Sequence, residues 1–255
     1  MFSLIQFILR DLLRQRTLIG LFALFALSTL SVIALGQGFE KTLASLLTLV
    51  QLGVPLVALL YTVTYYHSTL DFVEYLAAQP ISRTQLIMAF FISLASGIAL
   101  AVFLGFGIPL LITHPTAQSV SLIGMAIGLA VTFTAVGLYV AARSVDRLRA
   151  VAQALGIWFL LSVALDGLLV LLLFNFADYN LDLLGLSINF ISPIDYVRNF
   201  TLMKLDAAAI MGYSGAVFVD FFTSPGLRTL SVFLFVPWIL VPLTLAVRKF
   251  KNSDL

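Results

Sequence analysis

The sequence predicts an all-α integral membrane protein with about six transmembrane helices, and three observations predict it. Hydrophobic residues make up 61% of the 255 positions and charged residues only 10%, with a mean hydropathy of +1.09. A soluble domain carries roughly a quarter charged residues, so a surface this poor in charge cannot face water. Apolar runs of about 18 residues or more, long enough to cross the hydrocarbon as helices, recur along the whole chain. The basic residues cluster between those runs, and none falls inside one.

The elements follow in order within one membrane domain. In residues 1–16, Ser3, Gln6, Arg10 and Arg14 recur at helical spacing among Phe and Leu. Such a narrow polar stripe suits an interfacial helix lying in the headgroup layer. The run 18–35 is the first crossing. Basic residues, an apolar stretch and Ala34-Leu35-Gly36 resemble a cleavable signal peptide. Yet the run is of full spanning length and apolar residues precede the arginines, so an uncleaved helix is expected. The second crossing, 43–65, carries Gln51, Gly53 and Pro55.

Residues 66–83 read as a short, rigid cytoplasmic helix between two crossings. Ser68 or Thr69 can cap it, and Asp71 and Glu74 suit its positive N-terminal end. Pro80 follows it, and Ser82-Arg83-Thr84-Gln85 reads as a capping box opening the third crossing, 86–112. The fourth and fifth crossings, 120–142 and 151–174, flank a basic loop with Arg143, Asp146, Arg147 and Arg149. Residues 175–229 contain no spanning run, and a loop of that length is usually functional. An ordered cap of short helices is expected there. Ser192-Pro193-Ile194-Asp195 is one helix start, and Met211-Gly212 is a stop. The sixth crossing is 230–247.

Orientation comes from the basic residues of the loops. Ten lie on one side (Arg10, Arg14, Arg16, Arg83, Arg143, Arg147, Arg149, Arg248, Lys249, Lys251) and four on the other (Lys41, Arg198, Lys204, Arg228). The richer side is read as cytoplasmic, with both termini on it, in a bacterial inner membrane.

Small residues at Ser93, Gly97, Ala101 and Gly105, and at Gly124 and Gly128, step by four and favour close helix approach in lipid. No cysteine is present, the two histidines are far apart, and no Walker A pattern occurs. No metal, cofactor or nucleic-acid partner is therefore expected. Gly212-Tyr213-Ser214-Gly215 matches a loop of rhomboid-type intramembrane proteases. A serine nucleophile needs a base within hydrogen-bond reach, and there it is a histidine on a later helix, whereas His67 and His114 both precede Ser214. Asp166 is the one acid inside a spanning run, which makes it a functional candidate. An ion site, a hydrogen-bonded link to another helix and a water-facing cavity residue all remain open for it. The link or cavity role is favoured, because the runs hold no basic partner. His67, beside Tyr65 and Tyr66, suits an interfacial aromatic belt, and His114-Pro115 an outer turn.

This order of parts resembles the membrane subunit of type-2 ABC exporters. The resemblance is carried by the acidic helix and Pro-x-Ser-Arg element Asp71-Phe-Val-Glu74-Tyr-Leu-Ala-Ala-Gln-Pro80-Ile-Ser82-Arg83. A narrower resemblance, to the NosY-like branch, rests on Ser192-Pro193-Ile194-Asp195-Tyr196-Val197-Arg198, then Asp206, Gly212 and Gly215-Ala216-Val217. That branch usually begins the motif with Asn-Pro, where Ser192 stands here. The resemblance implies a non-catalytic permease subunit paired with a second copy of itself and driven by a separate ABC ATPase dimer. It implies docking through Tyr75 and Leu76, with Asp71, Glu74, Arg83 and Arg147 as charges around them. It also implies an outer surface at Pro193, Asp195, Arg198 and Asp206 facing a periplasmic partner; Gln51 and Asp166 stand apart from it as the intramembrane polar residues read from the apolar runs. The branch implies a role in the copper-site maturation of nitrous-oxide reductase. An ion-coupled secondary transporter, another type-2 exporter with a different substrate, or an assembly subunit stand as alternatives.

Overall fold

The computed structural model describes residues 2–36, 38–77, 82–175, 192–204 and 235–251, and every element among them is helical. Helix α1 is Phe2–Arg14 and α2 is Arg16–Ala34. Helix α3 is Phe39–Ser68, and the short α4, Leu70–Ala77, follows after a single residue. Helix α5, Arg83–Val102, passes through a π-helical turn, Phe103–Gly107, into α6, Ile108–Thr113. Helix α7 is Ala117–Arg143. Helix α8, Arg147–Phe159, likewise passes through a π turn, Leu160–Ala164, into α9, Leu165–Asn175. Helices α10, Pro193–Lys204, and α11, Phe235–Lys251, complete the described chain.

The protein is an all-α membrane protein. Among the described residues, five helical stretches are long and apolar enough to cross a bilayer: Arg16–Ala34, Phe39–Ser68, Arg83–Thr113, Ala117–Arg143 and Arg147–Leu168. Helix α11 has 17 described residues, and positions 230–234 of the expected sixth crossing lie outside the described residues.

Helices α3 and α7 form the centre. Gly137 lets them approach, since a Cβ there would sit 3.0 Å from Thr62 Cβ and 3.3 Å from the Leu59 carbonyl oxygen. Phe90, Phe106 and Phe133 are fully buried in the core. Helix α11 lies on α7, with the Phe235 ring 3.4 Å from where a Gly128 Cβ would be. Helix α1 lies on α5, and Ser93 Oγ donates to the Ile5 carbonyl at 3.2 Å. Trp158 of α8 donates its indole N–H to the Leu52 carbonyl at 3.0 Å. Helix α2 buries only Leu18, Phe25 and Thr29 and turns the rest of its surface outward, as a lipid-facing helix can.

Several local expectations meet their physical causes. Ser82 Oγ accepts from the Gln85 amide at 3.3 Å, so the capping serine opens α5 as its sequence suggests. Thr116 and Asp146 cap α7 and α8 in the same manner. The cap assigned to Ser68 or Thr69 is corrected. Both hydroxyls turn back onto α3, Ser68 Oγ to the Tyr65 carbonyl at 2.8 Å and Thr69 Oγ1 to the same carbonyl at 3.0 Å. Local side chain-to-backbone bonds of this kind compete with capping, and here they terminate α3 rather than start α4.

Candidate functional site

Two assemblies of polar groups stand out, one at each end of the bundle. The first lies where α1, α4, the α7–α8 loop and the C-terminal turn of α11 surround the end of α3. Phe7 of α1 stacks on Phe72 of α4 with ring centroids 5.6 Å apart. His67 bridges two segments, its Nδ1 lying 3.0 Å from the Val63 carbonyl and its Nε2 3.2 Å from the Ser144 carbonyl. Both partners are acceptors, and a neutral imidazole can donate to one of them at a time. The aromatic-belt reading missed this bridge, for which the sequence carries no signal.

Arg83 donates from Nη1 to the Phe250 carbonyl at 3.2 Å and to the Lys251 carbonyl at 3.0 Å. A guanidinium at a helix C-terminus satisfies orphan carbonyls and opposes the negative end of the helix dipole. The residue read as a rim charge is thus tied to the last helix. Asp71, Glu74 and Tyr75 lie on α4, while Leu76, at 7% exposure, turns into the protein's own core beside Val73. Leu76, which the resemblance offers to a partner's groove, is thus buried within the chain by itself. Arg147 is exposed at the first turn of α8, between Val145 and Leu148, which are 98% and 77% exposed.

The first assembly also reaches α1. Tyr65 Oη donates to Asp11 Oδ2 at 3.1 Å, and Gln15 Nε2 donates to the same oxygen at 3.1 Å. Sequence reasoning passed over Asp11. Its signal was a carboxylate four residues before an amide on one helical face.

The second assembly forms where α10 meets the π turn of the fifth crossing. Ser192 Oγ accepts from the Asp195 amide at 3.3 Å and donates to the Leu161 carbonyl at 3.4 Å. Such a π turn breaks the regular ladder, as π bulges at functional sites often do. Arg198 then reaches Asp166 in a two-pronged pair, Nη1 to Oδ2 and Nη2 to Oδ1, the latter at 2.9 Å. The same Nη2 lies 3.5 Å from Asp195 Oδ1.

Asp195 is 1% exposed, and among the described residues its carboxylate oxygens are held by the Arg198 ion pair rather than by a hydrogen bond of good geometry. Burial raises its pKa from 3.8 to about 6; the Arg198 guanidinium opposes that rise and Asp166 adds to it. With both acids ionised, two negative charges share one positive charge.

The intramembrane acid therefore has a cation, supplied by α10 rather than by a spanning run. Pro193 and Asp195, read as an outer partner surface, are buried, and Arg198 faces Asp166. The apolar Ile194, Tyr196 and Val197, each 3% exposed or less, draw this face of α10 into the bundle. Gln51 is buried on α3 at 8% exposure. Asp206 and Ser214 lie outside the described residues. His114 packs its ring against Phe39, centroids 5.3 Å apart. Among the described residues no group of three or more His, Cys, Asp or Glu could hold a metal ion.

Comparison with known proteins adds two matches. Residues 72–255 match the family model described as "ABC-2 family transporter protein". The chain is also similar to the probable ABC transporter permease protein NosY of Pseudomonas aeruginosa. The two are 30% identical over 226 residues, covering 80% of this chain and 82% of that relative.

Proposed function

This chain belongs to the ABC-2 transporter family as a membrane permease subunit, and from that premise we propose that it relays work done by a separate ATPase from α4 to α10. In this reading both termini are cytoplasmic, as the basic-residue count favours. The ATPase grips α4 and the exposed 143–149 loop, and two permease copies pair in the membrane.

The observation that carries the proposal is the wiring of that end of the bundle. Helix α4 follows α3 after one residue. His67 joins the end of α3 to the α7–α8 loop, and Arg83 joins the start of α5 to the end of α11. A push on α4 and the loop therefore reaches several crossings at once. Helices α3 and α7 pack against each other, and α10 rests against both. Packed helices transmit small shifts as rigid elements rather than absorbing them.

Tyr75→Ala and Glu74→Arg test the docking. The ATPase chain is expected to stop co-purifying with either variant, and its membrane-dependent hydrolysis is expected to fall. Unchanged co-purification and rate would remove α4 from the interface. The similarity to the NosY permease supports a finer reading, participation in copper-site maturation of nitrous-oxide reductase. Deletion of the gene in a denitrifying host should then leave that enzyme short of copper. Normal copper content would assign the chain to another substrate of the same transporter class.

One observation favours a second reading, an ion-coupled transporter: the buried carboxylate of Asp195, without a hydrogen bond of good geometry among the described residues. Transport by the purified chain alone, driven by an ion gradient with no nucleotide, would establish it.

A further inference from the structure

A groove opens on the lipid-facing side between α1, α2 and α5. It encloses a cavity of about 220 Å³ lined by Leu13, Leu18, Phe22, Gly97, Ala101 and Leu104 among other apolar residues. Leu13, Phe22 and Leu104 are 46%, 39% and 43% exposed, so its long side is open. Gly97 and Ala101 keep side-chain bulk out of its floor, a Cβ on Gly97 meeting nothing nearer than Leu12 at 3.8 Å. Two of the lining residues, Leu13 and Leu18, flank the turn that carries Arg14, Gln15 and Arg16.

That turn is positively charged and unspent. Arg14 and Arg16 are both exposed, and the ion pairs among the described residues belong to Arg198 alone. The nearby acid, Asp11, is already engaged by Tyr65 and Gln15. Gln15 also precedes α2 without capping it by its side chain.

We propose that this groove is a binding site for one acyl chain of an anionic phospholipid, whose phosphate is held by Arg14 and Arg16. The chemistry matches at both ends: an unbranched hydrocarbon fits a wholly apolar trough, and the headgroup meets two cations at the interface. A second copy of the chain fits less well. A two-fold partner seated there would bring its own Arg14 and Arg16 beside these, like charge against like. The bound lipid would then brace α1 against α2 and α5, filling a gap that the side chains leave. The proposal goes beyond the ATPase-driven reading and does not depend on it.

The test uses the full chain in nanodiscs of phosphatidylglycerol and phosphatidylcholine, followed by native mass spectrometry of the released protein. The protein is expected to retain phosphatidylglycerol in preference to phosphatidylcholine. The double substitution Arg14→Gln with Arg16→Gln should reduce that preference by roughly 25-fold, about fivefold per arginine near the headgroups. Ala101→Phe should abolish retention by filling the trough. The charge variant leaves the packing intact and covers the case in which Ala101→Phe fails to fold. Equal retention of both lipids by the unaltered chain, or unchanged preference in the arginine variant, would overturn the site. So would efficient disulfide cross-linking through Leu104→Cys, since the chain has no other cysteine and a second copy would then occupy the groove.

Discussion

Asp195 is the residue whose ionisation weighs most on the structure. Docked, its carboxyl has a pKa of about 6 because it is buried; undocked, it returns to its ordinary 3.8. The docked form therefore holds the proton more tightly between those values. By linkage, the contribution of Asp195 to the docking of α10 is fully present below pH about 4, weakens as pH rises toward about 6, and is lost above that. Asp195→Asn should flatten this dependence and stabilise α10 at neutral pH. Hydrogen exchange of the α10 amides at pH 4.5 and pH 7.5 reads it directly; a variant that tracks the unaltered protein at both would refute the assignment. Arg198→Gln should act in the opposite direction by leaving two acids without their cation. Breaking a fully buried pair costs about 3–5 kcal/mol; at 28% and 30% exposure for the two side chains, about 2 kcal/mol of thermal stability is expected. The sequence singled out Asp166 and favoured a hydrogen-bonded link or a cavity role over an ion site. It could not choose Arg198 from the outer basic residues, because the pairing spans 32 positions and depends on how α10 folds back.

At the scale of an element, the four-residue step of small side chains on α5 was legible because close approach in lipid needs missing atoms, and missing atoms show in a sequence. Ser93 accordingly bonds α1, Gly97 faces Leu12 and Leu18, and Gly105 meets α2. The tolerance differs along the stripe. A Cβ on Gly105 would lie 2.7 Å from the Phe22 carbonyl oxygen and 2.9 Å from Phe25 Cβ, backbone-linked atoms that cannot rotate away. Gly105→Ala should cost about 1–3 kcal/mol by forcing α2 off the π turn. Gly97→Ala, with its nearest neighbour at 3.8 Å, should change stability by less than about 0.5 kcal/mol. Unfolding of both variants in the same detergent compares them, and equal losses would show that the stripe is not a graded contact. The π turns themselves left no trace in the sequence. An extra residue in a helical ladder changes neither composition nor period enough to be seen over five positions. Nor could the sequence show that Ser68 and Thr69 return their hydroxyls to α3, since the same residues cap helices elsewhere.

Across the whole molecule, the crossings were legible as apolar runs, whereas their mutual bonds were not, because those bonds join residues far apart in sequence. Arg83 illustrates the difference. As a sequence feature it belongs to a Pro-x-Ser-Arg element and invites a role at the ATPase surface. In the fold it holds the last carbonyls of α11, a contact reaching across more than 160 residues of chain. The two roles predict different failures. If Arg83 fastens α11 to the segment that receives the ATPase stroke, Arg83→Gln should leave co-purification of the ATPase intact while lowering its membrane-dependent stimulation. The loss of helix-end stabilisation should be about 1 kcal/mol. Arg83→Lys should restore part of the effect, because an ammonium still opposes the helix dipole but lacks the planar fork that can reach two carbonyls together. If Arg83 is instead a docking charge, the ATPase should dissociate from the Gln variant and return with Lys. Co-purification and stimulation measured on the same preparations separate these outcomes, and dissociation in Arg83→Gln would place the residue on the partner surface rather than in the linkage between crossings.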